Sequence, residues 1–169
     1  MDYQLRQATP EDAGAVVHFH TLAHEQSYGH LLSPAFFRGR RASIRERVEQ
    51  RRPHLAGADP RIVAVDGNNN IVGLADAGPG RDDSGPANLE LYSIFALRHT
   101  YGTGLGAALL SAAIGDSPAY LWVLRENPRA QAFYLKHGFR PDGVTGLLPA
   151  EWENLPQLRM VRQARAAGS

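Results

Sequence analysis

The chain contains no cysteine. Disulfides, thiolate metal sites and a cysteine acyl-enzyme are excluded before any fold is considered. Charge of one sign is lacking too: 18 Lys and Arg face 17 Asp and Glu, a formal net charge of +1. No long-range field calls for nucleic acid or an anionic membrane as partner. No apolar run approaches the ~20 residues that span a bilayer. Met1-Asp2-Tyr3-Gln4 does not open as an export signal. These absences leave a cytoplasmic enzyme or binding protein as the expectation. What is present is ordinary for a globular protein: 169 residues, 43% hydrophobic and 21% charged, suit one domain with its own core. That domain is expected over 1–163, with 164–169 a frayed tail.

Local patterns predict the elements in order. Tyr3 to Ala8 alternate weakly as a strand. Thr9-Pro10-Glu11-Asp12 opens a helix to about Ala23, and Ser33-Pro34 opens a second to about Arg51. On that second helix Arg38, Arg40, Arg41, Arg45, Arg47, Arg51 and Arg52 fall around most of the circumference. They read as a solvated face; a patch for an acidic substrate or phosphate is the alternative. Arg61 to Val65 and Ile71 to Ala77 form a hairpin about Asp66-Gly67-Asn68-Asn69-Asn70. A loop rich in Gly, Pro and Asp precedes a long strand, Asn88 to Leu97. A glycine turn, a helix, a strand at Ala119 to Leu124, a helix from Asn127 to His137 and two short strands complete the chain. The order β-α-α-β-β-β-α-β-α-β-β implies an α/β fold of the α+β kind, a mixed sheet flanked by helices.

Tyr101-Gly102-Thr103-Gly104-Leu105-Gly106 is the most informative segment. Alternating glycines let backbone approach a ligand, and the free N–H groups of the helix that follows favour an anion such as pyrophosphate. Gly102, Gly104 and Ala107 also satisfy a dinucleotide fingerprint, with Glu126 near the spacing of a ribose contact. Against that, Arg98-His99-Thr100-Tyr101 separate strand from turn, and too little chain remains to complete a doubly wound domain.

A second block runs Asn127-Pro128-Arg129-Ala130-Gln131-Ala132-Phe133-Tyr134, then Gly138-Phe139. With Leu89 to Phe95 and the glycine turn, it resembles the GNAT superfamily of acetyl-CoA-dependent N-acetyltransferases. That family's pyrophosphate motif, Gln/Arg-x-x-Gly-x-Gly/Ala, falls on Tyr101 to Gly106, with Tyr101 in place of the usual Gln or Arg. Its second motif falls on Asn127, Ala130, Phe133, Tyr134, Gly138 and Phe139. Arg98 is a further departure, standing where many relatives have Pro. The resemblance covers nearly the whole chain. It implies acetyl-CoA as cosubstrate and no metal. The cofactor contacts it implies are Phe95, Ala96 and Leu97 along the pantetheine arm, Tyr101 to Ala107 at the pyrophosphate, and Asn127, Ala130, Phe133 and Lys136 beyond. A homodimer is suggested by the resemblance alone.

Acetyl transfer to an amine requires the amine to lose a proton, the carbonyl to be polarised and the thiolate to be protonated. An alkyl ammonium with pKa near ~10.4 arrives charged at neutral pH. Glu90, a carboxylate within an apolar strand, is the candidate base; a salt-bridged or solvent-facing Glu90 is the alternative. Tyr134 is the candidate acid at the sulfur. Backbone N–H groups around Ile94 to Ala96 are placed to polarise the carbonyl. Tyr28, Tyr92 and His24 are candidates for the acceptor pocket, whereas Trp122 and Trp152 read as packing. His18, His20 and His24 have helical spacing but no further ligand for a metal. The expected function is acetylation, by direct attack in a ternary complex, of a primary amine on a small molecule or peptide. A catalytically silent acyl-CoA sensor of the same fold is the alternative.

Overall fold

The structure, a computed structural model, describes residues 2–164; of the expected C-terminal tail, 165–169 lie outside the described residues. Strand β1 (Tyr3–Gln7) is followed by helices α1 (Ala13–Tyr28), α2 (Pro34–Ala42) and α3 (Ile44–His54). Then come β2 (Arg61–Asp66), β3 (Ile71–Pro79), β4 (Leu89–Ala96), α4 (Leu105–Ile114), β5 (Ala119–Leu124), α5 (Pro128–Lys136), β6 (Arg140–Leu147) and β7 (Pro156–Arg162). The strands form one sheet in the order β1-β2-β3-β4-β5-β7-β6. Every pairing is antiparallel except β4 with β5.

Three helices precede β2, not the two expected. The segment read as one helix breaks at Ser43, whose backbone (φ −93°, ψ 10°) leaves the helical region. The carbonyl of Arg40, freed by the break, accepts from Ser43 Oγ at 3.3 Å and from Arg47 Nη1 at 3.0 Å. Arg47 also donates to Thr21 Oγ1 on α1 at 2.9 Å. Two of the supposedly solvated arginines therefore belong to a helix junction, because orphaned helix carbonyls need donors.

β3 is buried over Ile71 to Gly78, which places it centrally in the sheet. Gly73 faces α4: a Cβ there would lie 2.8 Å from Leu109 Cδ1. Asp76, three residues on, projects to the other face and meets Arg51 of α3 at 2.6 and 2.8 Å. One strand thus divides two helical layers, as the two-residue period of a strand requires. On α4, Leu105, Leu109 and Leu110 are fully buried, each worth ~1.5–3 kcal/mol relative to exposure. The Asp66 hairpin forms as expected: the carboxylate accepts from Asn68 N and Asn70 N at 2.9 Å, and Asn69 takes φ 62°.

Two irregularities shape the middle of the sheet. Opposite the register break of β3 at Asp76 and Ala77, which pair with Ser93 and Leu91, Tyr92 is the extra residue of a bulge in β4. β4 and β5 pair only at Glu90 with Tyr120 and at Leu91 with Leu121. Beyond Leu91 the two parallel strands diverge while β4 continues along β3 as far as Ala96. Among the described residues, no helix is long and apolar enough to cross a membrane.

Candidate active site

The wedge between β4 and β5 is the middle of a cavity of about 940 Å³. Along it the edge of β4 from Tyr92 to Ala96 has lost its β5 partner, so its outward N–H and C=O groups have no strand to pair with. An extended ligand can complete that edge.

At one end of the wedge stands the glycine turn. Gly102 and Gly104 take φ 79° and 87°, left-handed values that suit glycine and place the turn across the axis of α4. Thr100 Oγ1 donates to Leu97 O and Thr103 Oγ1 to Thr100 O, both at 2.7 Å, so side chains brace the loop. The helical bonds of α4 begin with Ala108 N donating to Gly104 O. The amides of Leu105, Gly106 and Ala107 precede that bond and have no helical acceptor, which makes an anion cradle with the helix dipole behind it. No protein atom lies within 4 Å of a Cβ built at Gly102 or Gly104, so this face is open to a ligand. Gly106 serves a different need: a Cβ there would lie 3.2 Å from Phe133 Cε2 of α5.

Asn127 caps α5, accepting from Ala130 N at 3.1 Å. Phe95, Ala96, Tyr101, Gly106, Asn127, Ala130, Phe133 and Tyr134 all line the cavity. Leu97 is buried beneath the turn, Leu105 is buried in the core, and Ala107 is half-buried. Gly102, Thr103 and Gly104 are exposed at the turn. Lys136, expected near the nucleotide phosphates, is exposed at the end of α5 and not on the cavity wall. A cation absent from the sequence reading stands nearer. Arg129, on the cavity wall, lies 3.2 Å from the centre of the Tyr101 ring. Tyr101, in place of the family's Gln or Arg, thus holds a guanidinium on its face. The available signal was a cation in the first turn of α5, where the helix dipole disfavours one.

Tyr134 projects from α5 into the cavity and is 7% exposed. Among the described residues its phenol makes no protein hydrogen bond. Burial, then the neighbouring Tyr28, raises its pKa well above the ordinary phenol value. Its O–H remains a donor at any working pH.

On the wall that α1, α2 and α3 supply, His24 and Tyr28 line the cavity, as do His20, Arg40 and Arg51, and Tyr92 lines it from β4. Tyr28 stacks on His24 and packs edge-on against Phe95; burial, with Tyr101 nearby, pushes its phenol up to about 12. Tyr92 donates to Pro79 O at 2.6 Å and lies between Arg81 and Arg61, 4.3 and 5.5 Å from its ring centre. Trp122 and Trp152, expected only as packing, both face the cavity. Trp152 meets His24 edge-on at 5.1 Å and carries Arg40 at 5.2 Å. Among the described residues, no three His, Asp or Glu side chains group as metal ligands.

Glu90 does not line the cavity. It is 1% exposed and faces away into a network: Arg81 donates from Nη2 at 2.7 Å, Nε at 3.1 Å and its backbone N at 2.9 Å, and Tyr120 OH donates at 3.1 Å. The salt-bridged alternative describes this geometry. Glu90 pins the loop from Gly80 to Asn88 onto the sheet, and direct proton removal by it requires Arg81 to withdraw. Sequence spacing could not reveal the partner, which comes from an irregular loop nine residues upstream.

A seven-stranded, mostly antiparallel sheet split between two parallel strands, with a glycine-led helix at the split, defines the acetyltransferase fold of the GNAT class. Residues 58–141 match the family profile described as acetyltransferase (GNAT) domain. An uncharacterized N-acetyltransferase of Mycobacterium tuberculosis, Rv2669, is 35% identical over 57% of this chain and 65% of its own length, so the match spans just under two thirds of that relative. Its counterpart in Mycobacterium bovis, Mb2688, matches to the same extent. Among solved structures, PaiA N-acetyltransferase from Thermoplasma acidophilum, in complex with coenzyme A, superimposes with TM-score 0.71 at 17% identity over 96% of this chain and 99% of its own. A Corynebacterium glutamicum protein named histone acetyltransferase HPA2 and related acetyltransferase gives TM-score 0.68 at 23% identity over the full length of both. The structural likenesses speak to the fold, and the profile match, with the relatives beside it, identifies residues 58–141 as a GNAT acetyltransferase domain.

Proposed function

We propose that the protein acetylates a primary amine, with acetyl-CoA as acyl donor, by direct attack within a ternary complex. The observation that carries this reading is continuity. Tyr101 and Gly106 at the two ends of the glycine turn, the unpaired edge of β4, Tyr134 and an aromatic pocket all line one cavity. Acetyl-CoA supplies the acyl carbon and departs as coenzyme A. The free amides of α4 suit its pyrophosphate, Arg129 adds charge beside them, and the β4 edge from Tyr92 to Ala96 suits the pantetheine arm.

In the transfer the amine nitrogen forms a bond to the acyl carbon, the carbon–sulfur bond breaks, and the sulfur takes up a proton. N–H groups of β4 that have no β5 partner support carbonyl polarisation. Tyr134, held as a neutral phenol, donates at the sulfur. Glu90 is not the base, since Arg81 and Tyr120 already occupy its carboxylate. The ammonium proton passes to water in the open cavity, and the second proton, lost from nitrogen as the amide forms, returns through water to Tyr134 in place of the one given to sulfur. Thiol release from acetyl-CoA, measured with a mixed panel of primary amines, tests the proposal. Amine-dependent release supports it. Coenzyme A binding without release for any amine favours a silent sensor.

A further inference from the structure

Among the described residues, three buried side-chain atoms have no hydrogen-bond partner: Nε2 of His20, Nε of Arg40 and Nε of Arg51. All three residues line the same cavity, on the wall that α1, α2 and α3 supply. Buried polar groups are nearly always paired, so orphans that gather at one wall need an explanation. They come from three helices, α1, α2 and α3, which a shared surface flaw would not link.

The charges there do not cancel. Arg51 is balanced by Asp76, which it grips at 2.6 and 2.8 Å, and Asp76 also has Arg61 at 3.8 Å. Arg40 has no carboxylate within ion-pair distance among the described residues. It hydrogen-bonds His24 Nδ1 at 3.2 Å and lies over the rings of Trp152 and Phe36. Its carbonyl, moreover, is held by a second guanidinium, Arg47, whose own contacts are neutral oxygens. Burial and Arg47 together pull Arg40 down to about 10, still cationic at neutral pH. Between these arginines His20 stays neutral, so one ring nitrogen carries a proton to donate. A half-buried, unpaired guanidinium backed by aromatic rings, with two further N–H donors beside it, is a receptor for a planar anion.

We propose that this end of the cavity is a carboxylate subsite, so that the acceptor is a small amino acid: Arg40 receives its carboxylate, Arg51 and His20 complete the donor set, and its amine points along the wedge. The claim about the acceptor rests on the acetyl-transfer reading above; the claim about the subsite does not. The product is then an N-acetylated carboxylate.

Two measurements on the full chain separate the claims. The first is calorimetric binding of N-acetylglycine, N-acetylphenylalanine and N-acetylglutamate against their carboxamides, in the presence of coenzyme A. The carboxylates are expected to bind about 10- to 100-fold tighter. Arg40→Gln should remove that preference and Arg40→Lys keep part of it, with coenzyme A affinity unchanged in both as a check of folding. Equal binding of acids and amides, or preference retained in Arg40→Gln, overturns the subsite. The second is kcat/KM for amino acids against their decarboxylated amines. A preference for the acids of similar size supports the acceptor class, and equal or faster turnover of the decarboxylated amines overturns it. Carboxylate binding with no turnover of any amine upholds the subsite and removes acetyl transfer.

Discussion

Arg81 and Glu90 form a one-sided ion pair: the Glu90 side chain is 2% exposed and the Arg81 side chain 64%. The guanidinium closes on the carboxylate at 2.7 and 3.1 Å while its aliphatic and planar faces meet Tyr92 and solvent. The pair sits at the foot of the wedge, where Glu90 and Tyr120 make one of the two rungs joining β4 to β5. It therefore ties a loop, two diverging strands and the cavity mouth into one unit.

Replacing Glu90 by Gln should act on that unit. Arg81 can hydrate once released, so the loss is smaller than for a wholly buried pair, about 1–3 kcal/mol in urea unfolding. Turnover should fall less than about tenfold, with the pH–rate profile unmoved. A fall of about 100-fold with a displaced acidic limb restores Glu90 as the base.

Tyr134→Phe removes one hydroxyl from the cavity wall and leaves the ring packing on Phe133 and Phe139. The expected result is a kcat lowered about 100-fold with KM for acetyl-CoA changed less than about threefold. Steady-state kinetics decide it, and unchanged kcat ends the proton-donor role.

Gly104→Ala puts a methyl group into open space, so any effect comes from the backbone at φ 87°. Alanine at that φ costs about 1–2 kcal/mol and distorts the turn ahead of α4. KM for acetyl-CoA should rise about tenfold, with acceptor KM steady. A protein with native cofactor affinity and native stability refutes this use of the turn.

Stability should fall on mild acidification. Burial, then Arg51, Arg40 and Arg47, lowers the pKa of His20 to about 3, and burial with His20 beside it lowers that of His24. Both folded values lie below the unfolded value near ~6.5. The unfolded chain then binds the extra protons as pH drops below ~6.5, and stability is lost from there towards pH 3. For His20 alone the slope is about 1.4 kcal/mol per pH unit, so about 2 kcal/mol disappears between pH 6.5 and 5. Thermal melts across this range should show Tm falling, and His20→Gln should remove part of the slope. A flat Tm speaks against neutral buried histidines.

The cofactor half was more legible in the sequence than the acceptor half. The glycine turn and the Asn127 to Phe139 block each lie within a short run, and their function depends on backbone conformations that a few consecutive residues dictate. The acceptor end draws His20 from α1, Arg40 from α2, Arg51 from α3, Asp76 from β3 and Trp152 from the turn before β7. No spacing rule links residues so far apart. Arginines placed all around a helix read as solvated, and only the break at Ser43 decides that Arg40 and Arg47 turn inward.

Glu90 shows the boundary between the two kinds of information. A carboxylate within Leu89 to Leu97 needs a partner, and the sequence alone establishes that need, because an isolated buried charge is too costly to keep. Which group meets it depends on where the loop carrying Arg81 lies, and that is a property of the packed chain. The same division holds for the whole protein. Hydrophobic period, caps and glycines determined the strands, most helices and the glycine turn, since these follow from local sterics and hydrogen bonding. Tertiary structure decided the charge and shape of the cavity wall built by α1, α2 and α3, since burial and pairing exist only once distant elements meet.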